Sequence, residues 1–503
     1  MKLLQNLSAS AHKILALLGL LIVMTAWALS SPIGSSPDDD YHLASSYCSH
    51  GNRSELCVMA DETQVFRVPA LITRTYDCYL NGLNASECLQ FDGNNFETTT
   101  RINSENFYPK TFYWINGFFA KPNVEVGALL MRILNIAVTV ILLLLSYSKS
   151  SPLIKSVMPL ALACALVPLG IFILPSNNPS SWSVTGIFVY WVGFSSSFQR
   201  RKMADNLTSL SFALIGGAVA ISSRSDSALL LIIVTVAVMI QSNSRCSDLM
   251  TSNKNRLLGG LVVFLFLVDR ALNRTNLVSQ GFVDSQNGLA TGDIVFQNLQ
   301  SYPRYFLAFF GFSFWGETPM GHLAWFQIPV PILASLIILA TAIFLGCRNI
   351  QKWPKSDKFS IVFLLFCIVS IPLVLHQRDG TVIGELIQPR YLYSLFLIIM
   401  TLCIANSRRN TWVGEKMVLS ITAGLTVAHS LVLHRFIGSY TSGFNSSDSL
   451  IFNESWWGFS PLSPELTWLV GSVAFSVFTF ASVHLYSAPV AENDVVVLNY
   501  KMW

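Results

Sequence analysis

ILALLGLLIVMTAWALS at residues 14–30 contains no charged side chain, and the polar stretch SPIGSSPDDDYH follows it at 31–42. A helix needs about 20 predominantly apolar residues to cross a bilayer. Ala28-Leu29-Ser30 resembles a signal-peptide cleavage site. The apolar run is long for a signal peptide, and the residues just after it look functional. We therefore predict an uncleaved first transmembrane helix.

The same alternation of apolar runs and polar stretches continues along all 503 residues. The chain is 52% hydrophobic and 12% charged, whereas about one-quarter of an average soluble domain is charged. This pattern predicts an all-α polytopic membrane protein with about twelve transmembrane helices. The predicted spans are 12–30, 126–147, 156–174, 183–198, 206–222, 227–243, 257–272, 326–346, 359–376, 391–406, 416–436 and 465–487.

The distribution of lysine and arginine predicts the orientation in the membrane, because cytoplasmic loops are enriched in both. With a cytoplasmic N-terminus, every short cytoplasmic loop is basic. Residues 1–487 then form one integral membrane domain, and 488–503 form a cytoplasmic tail. The predicted location is the cell membrane, as a multi-pass protein. Four substantial extracytoplasmic loops are predicted, at about 31–125, 273–325, 376–390 and 437–464.

Four cysteines in the large first loop suit two disulfides, which need an oxidising compartment. Three pairings are possible, and Cys48–Cys57 with Cys78–Cys88 is the most local. A zinc site is less favoured, because the spacings are too long for a Cys-x-x-Cys ligand pair. The cysteines and the basic loops therefore indicate the same topology.

Three adjacent carboxylates, Asp38, Asp39 and Asp40, directly follow the first span. Their mutual repulsion is useful if they bind a cation or act as a general base. His42 would share a helix face with Asp38. The alternative is an ordinary helix N-terminus, opened by Pro37 and favoured by the helix dipole. That alternative accounts for the acids but not for the histidine.

Two other motifs lie on the predicted outer side. In Gln388-Pro389-Arg390-Tyr391, an arginine at the interface can hold a lipid-linked phosphate by a two-pronged contact, or it can snorkel to the headgroups. Arg378 and Asp379 are expected nearby. The aromatic stretch 313–325 favours interfacial packing.

Four further side chains complete the candidate set. Arg304 and Glu317 could reach a polar substrate, and Trp315 lies in the same aromatic stretch. Arg132 is a charge inside the second predicted span, and such charges often mark function.

These motifs resemble those of a family of multi-spanning bacterial membrane proteins of unassigned function, domain-of-unknown-function family 2142. Its Pro-x-Asp-Glu-x-x-His pattern outside the first span is matched by Pro37, Asp38, Asp39 and His42, with aspartate in place of glutamate and without the residue between the proline and the first acid. Its Ser-Phe-Phe/Trp-Gly and Gly/Pro-Arg-Tyr motifs are matched at 313–316 and 389–391. The family is regarded as similar to the GT-C superfamily of lipid-phosphate-sugar-dependent glycosyltransferases.

The resemblance implies a GT-C-like fold and a sugar transfer at the outer face of the membrane. Asp38 or Asp39 would deprotonate an acceptor hydroxyl on a cell-envelope glycan or glycolipid. Arg390 would stabilise the departing polyprenyl phosphate, with Arg378 or Arg304. A divalent cation, Mg²⁺ or Mn²⁺, is compatible but not required, and Asp38, Asp39 and His42 would be its ligands. The third acid, Asp40, leaves the identity of the base open.

Other function classes remain open. A transporter or flippase of lipid-linked saccharides also fits twelve spans, but it should carry midplane charges and often an internal repeat. A polysaccharide polymerase would need no acid cluster after the first span. The net charge of +4 gives no reason to expect nucleic acid as a partner. The expected partners are the bilayer, a polyprenyl-phosphate sugar donor and a glycan or glycolipid acceptor.

Overall fold

A computed structural model describes most of the chain. It covers residues 8–60, 65–90, 95–199, 203–242, 292–315, 320–324, 327–385, 387–408, 414–444, 452 and 460–488. Across these residues the protein is mostly helical. The helices are α1 (Ala9–Ser30), α2 (Asp39–Cys48), α3 (Ala70–Leu80), α4 (Ala85–Cys88), α5 (Lys110–Gly117), α6 (Val124–Lys149), α7 (Pro152–Ala165), α8 (Leu169–Ile173), α9 (Ser180–Gln199), α10 (Met203–Ile221), α11 (Ser227–Gln241), α12 (Gly292–Ala308), α13 (Ile332–Gly346), α14 (Lys355–Asp379), α15 (Tyr393–Arg408), α16 (Glu415–Ser442) and α17 (Pro464–Ser487).

Every predicted span that falls within the described residues overlaps one or two helices, and the protein is a mostly helical membrane protein. The seventh predicted span, 257–272, lies outside the described residues. Six described helices are long and apolar enough to cross a membrane: α1, α6, α14, α15 with the turn before it, α16 and α17. Four shorter apolar helices accompany them: α7, α11, α13 and Leu207–Ile221 of α10. The figure of twelve spans stays a prediction.

Glycines allow the closest helix contacts. α1 packs against α17, and a Cβ added at Gly19 would lie 2.9 Å from the backbone nitrogen of Phe478. α9 and α10 meet at Gly186 and Gly216, where a Cβ on either glycine would lie 2.5–2.6 Å from the carbonyl oxygen of the other. Small residues bring backbones together in this way in membrane helix pairs, where dispersion rather than the hydrophobic effect drives association.

The segment between α1 and α6 forms a separate layer with its own apolar core. It adds a small antiparallel sheet to the predicted all-α architecture. The sheet has the order β1-β2-β3, from Val58–Met59, Phe66–Pro69 and Phe96–Thr99. Phe66 pairs with Met59 on one side and with Thr99 on the other.

Both disulfides in this layer have the predicted local pairing. Cys48 is bonded to Cys57, which ties the end of α2 to the approach to β1. Cys78 is bonded to Cys88, which ties α3 to α4. Each closes a short loop, so α2 and α3 are fixed by covalent bonds close to the acidic motif.

Arg132 fixes the junction between this layer and the helices. Its side chain is fully buried in α6, and its guanidinium donates hydrogen bonds to the carbonyl oxygens of Ala28, Ser31 and Pro32. The last carbonyls of a helix have no partner within that helix. Arg132 therefore caps α1 and sets the direction in which the chain leaves it towards α2.

Candidate functional site

Asp38 immediately precedes α2 in a left-handed backbone conformation, with φ 57° and ψ 27°. Among residues other than glycine, this region is adopted mainly by Asn and Asp. The carbonyl oxygen of Asp38 accepts a hydrogen bond from the backbone nitrogen of His42 at 2.9 Å. Asp38 therefore precedes the helix, and the predicted shared helix face with His42 is not formed.

Asp39 and Asp40 occupy the first turn of α2, as the helix N-terminus interpretation expects, but each also has a cationic partner. Asp39 is fully buried, accepts a hydrogen bond from the backbone nitrogen of Gly34 at 2.9 Å and lies 3.6 Å from Arg132. Burial raises the pKa of Asp39 to about 6, against the opposing effect of Arg132. Asp40 accepts two hydrogen bonds from Arg101, at 2.6 and 3.3 Å.

Asp38 has the most exposed carboxylate of the three aspartates. Its side chain is 36% exposed, compared with 11% for Asp40 and 0% for Asp39. Its Oδ2 lies 3.4 Å from Nη2 of Arg390, and its Oδ1 lies 3.7 Å from Arg101. The structure therefore brings the acidic motif after the first span into contact with the Gln388–Tyr391 motif, although the two are far apart in sequence.

Arg390 is positioned by a short 3-10 turn, Pro389–Leu392, that leads into α15. Its side chain is 8% exposed. Its Nη2 also donates a hydrogen bond to the hydroxyl of Tyr391 at 3.2 Å. Proline fixes φ at the start of the turn, so the arginine is directed at the acid by a shaped loop.

Arg224 belongs to the same site, and the sequence reasoning missed it. It lies in the connection between α10 and α11, where its Nε and Nη2 donate to the two carboxylate oxygens of Asp226 at 2.9 and 2.6 Å. Its guanidinium carbon lies 4.5 Å from the ring centroid of Tyr391 and 5.7 Å from that of Tyr108. Burial acts to lower the pKa of Arg224, but Asp226 and the two tyrosines raise it above the usual value.

One signal could have identified Arg224. The predicted topology places the connection 223–226 on the outer side, and an arginine there stands out because the other short outer connection, 175–182, contains no lysine or arginine. Arg101 was missed for a different reason, because the first loop is long and its fold is not readable from local pattern.

Tyrosine rings surround His42. Its Nδ1 lies 2.9 Å from the hydroxyl of Tyr113, and the rings of Tyr41 and Tyr108 are edge-on to it at 5.4 and 5.3 Å. Burial lowers the pKa of His42 well below its usual value, and the positive charges of Arg224 and other arginines lower it further. His42 is therefore neutral at physiological pH and helps to shape the wall behind Asp38.

Within the part of the chain that the structure describes, the remaining predicted site residues are not joined to Asp38. Arg304 is on the exposed side of α12. Arg378 pairs with its neighbour Asp379 at 2.8 Å, whereas Arg390 meets Asp38. Trp315 is 65% exposed and packs against His322 at 4.3 Å. Glu317 lies outside the described residues.

The described residues contain no group of three His, Cys, Asp or Glu side chains placed to hold a metal ion. Asp39 is occupied by Arg132 and Gly34, and His42 faces Tyr113. The cations nearest to the carboxylate of Asp38 are arginines. These three residues do not form a donor set that fits Mg²⁺ or Mn²⁺, which need several converging oxygen ligands.

The carboxylate of Asp38 is partly exposed, whereas the guanidinium groups of Arg390 and Arg224 are nearly buried. Both guanidinium groups lie close to the ring of Tyr391. A carboxylate can accept a proton from a hydroxyl group. Guanidinium groups bind phosphate oxygens in a forked geometry. The site can therefore hold an anionic leaving group next to a general base.

A family model described as "Predicted membrane protein (DUF2142)" matches residues 21–399, which is most of the chain. The matched range includes Asp38, Arg224 and Arg390. No curated protein and no solved structure gives a significant match.

Proposed function

The chain belongs to the DUF2142 family of predicted membrane proteins, and from that premise we propose that it is a membrane glycosyltransferase. It moves a sugar from a polyprenyl-phosphate donor to a cell-envelope glycan or glycolipid. The reaction takes place at the outer face of the membrane. The fold is GT-C-like in this proposal.

One observation carries the proposal: the carboxylate of Asp38 lies 3.4 Å from the guanidinium of Arg390 at the end of the molecule that bears the disulfides. Transfer from a lipid phosphate needs a base for the acceptor and a cation for the leaving group. Asp38 and Arg390 supply both. Two other facts support this assignment, the exposure of Asp38 and the nearly buried position of Arg224 beside Tyr391.

The proposed reaction has one displacement. The acceptor hydroxyl gives its proton to Asp38, and its oxygen attacks the anomeric carbon of the donor sugar. The bond between that carbon and the phosphate oxygen breaks, and the lipid phosphate leaves with the electron pair. Arg390 and Arg224 stabilise the negative charge that develops on the phosphate. Asp39 and Asp40 hold α2 in place through Arg132 and Arg101.

The test is sugar transfer by the purified protein in nanodiscs. The donors are radiolabelled polyprenyl-phosphate sugars, and the acceptor is a crude pool of lipid-linked glycans. Asp38→Asn should lower the rate by a factor of about 10² to 10⁴, the contribution usual for a general base. Glu55→Gln, an exposed carboxylate in the same layer, is the matched control and should transfer normally.

Two outcomes would contradict the proposal. Normal transfer by a correctly folded Asp38→Asn variant would show that Asp38 is not the general base. Transport of a lipid-linked saccharide across liposomes, without sugar transfer from any donor, would favour the transporter alternative.

A further inference from the structure

Arg101, Arg224 and Arg390 each have a nearest carboxylate at the site, and these three nearest contacts differ in length. Arg101 binds Asp40 through two contacts, at 2.6 and 3.3 Å. Arg224 binds Asp226 through two contacts as well. The contact between Arg390 and Asp38 is 3.4 Å, beyond the 2.7–3.2 Å usual for an N–H···O bond. Among these three nearest contacts it is therefore the one that a stronger anion would replace most easily, and the second contact of Asp38, with Arg101, is longer still at 3.7 Å.

The surroundings of Arg390 make such a replacement favourable. Its side chain is 8% exposed, whereas that of Arg101 is 56% exposed. Charge interactions are stronger where water is excluded. Asp38 is itself partly exposed, so a ligand can approach the pair from the side of the carboxylate. An anion bound to Arg390 would therefore gain more electrostatic stabilisation than an anion bound to Arg101.

Arg224 offers the second contact. A guanidinium has five N–H bonds. Asp226 and the hydroxyl of Ser180 engage one N–H on each of its three nitrogens. One further N–H remains on Nη1 and one on Nη2. Arg224 and Arg390 both approach the ring of Tyr391, at 4.5 and 5.0 Å from its centroid.

We propose that Arg390 exchanges partners when the donor binds, leaving Asp38 for the phosphate group of the lipid, with Arg224 as the second phosphate contact. The identity of the phosphate-bearing ligand rests on the proposed function. A phosphate presents more acceptor oxygens and more charge than a carboxylate, and it suits the forked donor geometry of arginine. Asp38 is then released to accept a proton only when the donor is in place.

The exchange predicts an unusual binding result, because removing a carboxylate from the site should tighten the binding of an anion. Binding of farnesyl phosphate to the full-length protein in nanodiscs is measured by isothermal titration calorimetry. Asp38→Asn should bind about two- to fivefold more tightly, the range expected for a modest ion pair. Arg390→Gln and Arg224→Gln should each bind about tenfold more weakly.

A double variant isolates the exchange. In the Arg390→Gln background, Asp38→Asn should not tighten the binding of farnesyl phosphate. The arginine for which Asp38 and the phosphate compete is already absent there. Asp38→Ser serves as a second removal of the carboxylate if Asp38→Asn does not fold. Arg67→Gln, an exposed arginine on β2, and Glu55→Gln are matched controls and should leave the affinity unchanged. Unchanged or weaker binding by folded Asp38 variants would overturn the exchange.

Two further ligands distinguish the sources of the phosphate. Farnesol should not compete, and inorganic phosphate should bind much more weakly than farnesyl phosphate. Equal binding of farnesol would show that the phosphate is not recognised, and equal binding of inorganic phosphate would overturn the lipid assignment. The binding assay does not depend on sugar transfer. Tightening without any transfer would leave the exchange standing and contradict the glycosyltransferase proposal, whereas transfer without tightening would contradict the exchange alone.

Discussion

At Asp38 the backbone leaves the left-handed region and α2 begins, so the three adjacent aspartates reach different surroundings. Asp39 turns inward to Arg132, and Asp40 turns to Arg101. Asp38 stays at the surface of the site beside Arg390. Each of the three adjacent acids therefore has a different nearest cation, and Arg101 also lies 3.7 Å from Asp38.

His42 gives a prediction for the pH dependence of stability. The folded protein holds this histidine neutral, with a pKa lowered well below 6.5 by burial and by nearby arginines. The unfolded chain binds a proton below pH 6.5 and the folded chain does not. The free energy of unfolding should therefore fall as the pH drops below about 6.5, by up to about 1.4 kcal/mol per pH unit. Thermal unfolding in detergent between pH 7 and pH 4.5 measures it.

The comparison with His42→Gln separates this effect from that of Asp39, whose raised pKa acts in the opposite direction between pH 6 and pH 4. The variant should lose less stability on acidification than the native chain. Parallel curves for His42→Gln and the native protein would show that His42 gains a proton in the folded state.

The sequence predicted where the site begins but not all of its members. The Pro37–His42 motif and Arg390 could be found because they stand beside predicted spans. Which aspartate faces the site depends on one backbone torsion angle, at Asp38, and on the direction set by Arg132. Arg101 reaches the site through long-range packing, which no local pattern contains, and Arg224 could have been identified only from its place in a short predicted outer connection.

Close contacts between helices also help to position the residues of the site. α9 and α10 are joined by a short connection, and their glycines bring the two backbones together. This close contact lies between chain segments that end beside the site, since Ser180 at the start of α9 and Arg224 just after α10 are hydrogen-bonded at 3.3 Å. The distance between the helices therefore helps to fix Arg224.

Gly216→Leu should separate α9 from α10. A Cβ at Gly216 would lie 2.6 Å from the carbonyl oxygen of Gly186 and 2.7 Å from the backbone nitrogen of Tyr190, and neither can move without the helix. Overpacking of this kind lowers the free energy of unfolding by about 1–3 kcal/mol. Unfolding by sodium dodecyl sulfate in mixed micelles measures the change. Gly292→Leu is the matched control, because a Cβ there has no neighbour within 4 Å among the described residues; equal stability of the two variants would contradict the close-contact argument.

The boundaries of the helices were predicted less well than their existence. The eighth predicted span starts at 326, but α13 begins at Ile332 after Pro331. The third predicted span is divided between α7 and α8. Hydropathy averages over a window and does not detect where proline ends a helix. The small sheet between α1 and α6 was missed because its strands are very short.

For the whole molecule, the two disulfides and the candidate site lie at the same end. α2 begins beside Asp38 and finishes at Cys48, so the acid and the first disulfide belong to one short helix. Disulfides persist in oxidising compartments. The site is therefore expected to face away from the cytoplasm, which agrees with the basic loops that the sequence places on the opposite side.

Cysteine labelling tests this orientation directly. Cys347 is an exposed free thiol just after α13, on the predicted cytoplasmic side. Glu105 is exposed in the layer that carries the disulfides. Cys246 lies outside the described residues, in a predicted cytoplasmic loop, and is replaced by serine in both proteins. In intact cells a membrane-impermeant maleimide should label the Glu105→Cys variant in a background that also carries Cys347→Ser. The same reagent should label native Cys347 only after the cells are permeabilised.

The reverse pattern would place Asp38 and Arg390 in the cytoplasm. A polyprenyl-phosphate sugar donor would then have to be used at the inner face, where the glutathione pool would keep Cys48 and Cys57 reduced. Labelling of both positions in intact cells would instead indicate leaky cells, and an impermeant reagent that leaves a known cytoplasmic protein unlabelled controls for that. The expected pattern gives the site access to acceptors outside the membrane, which the proposed transfer requires.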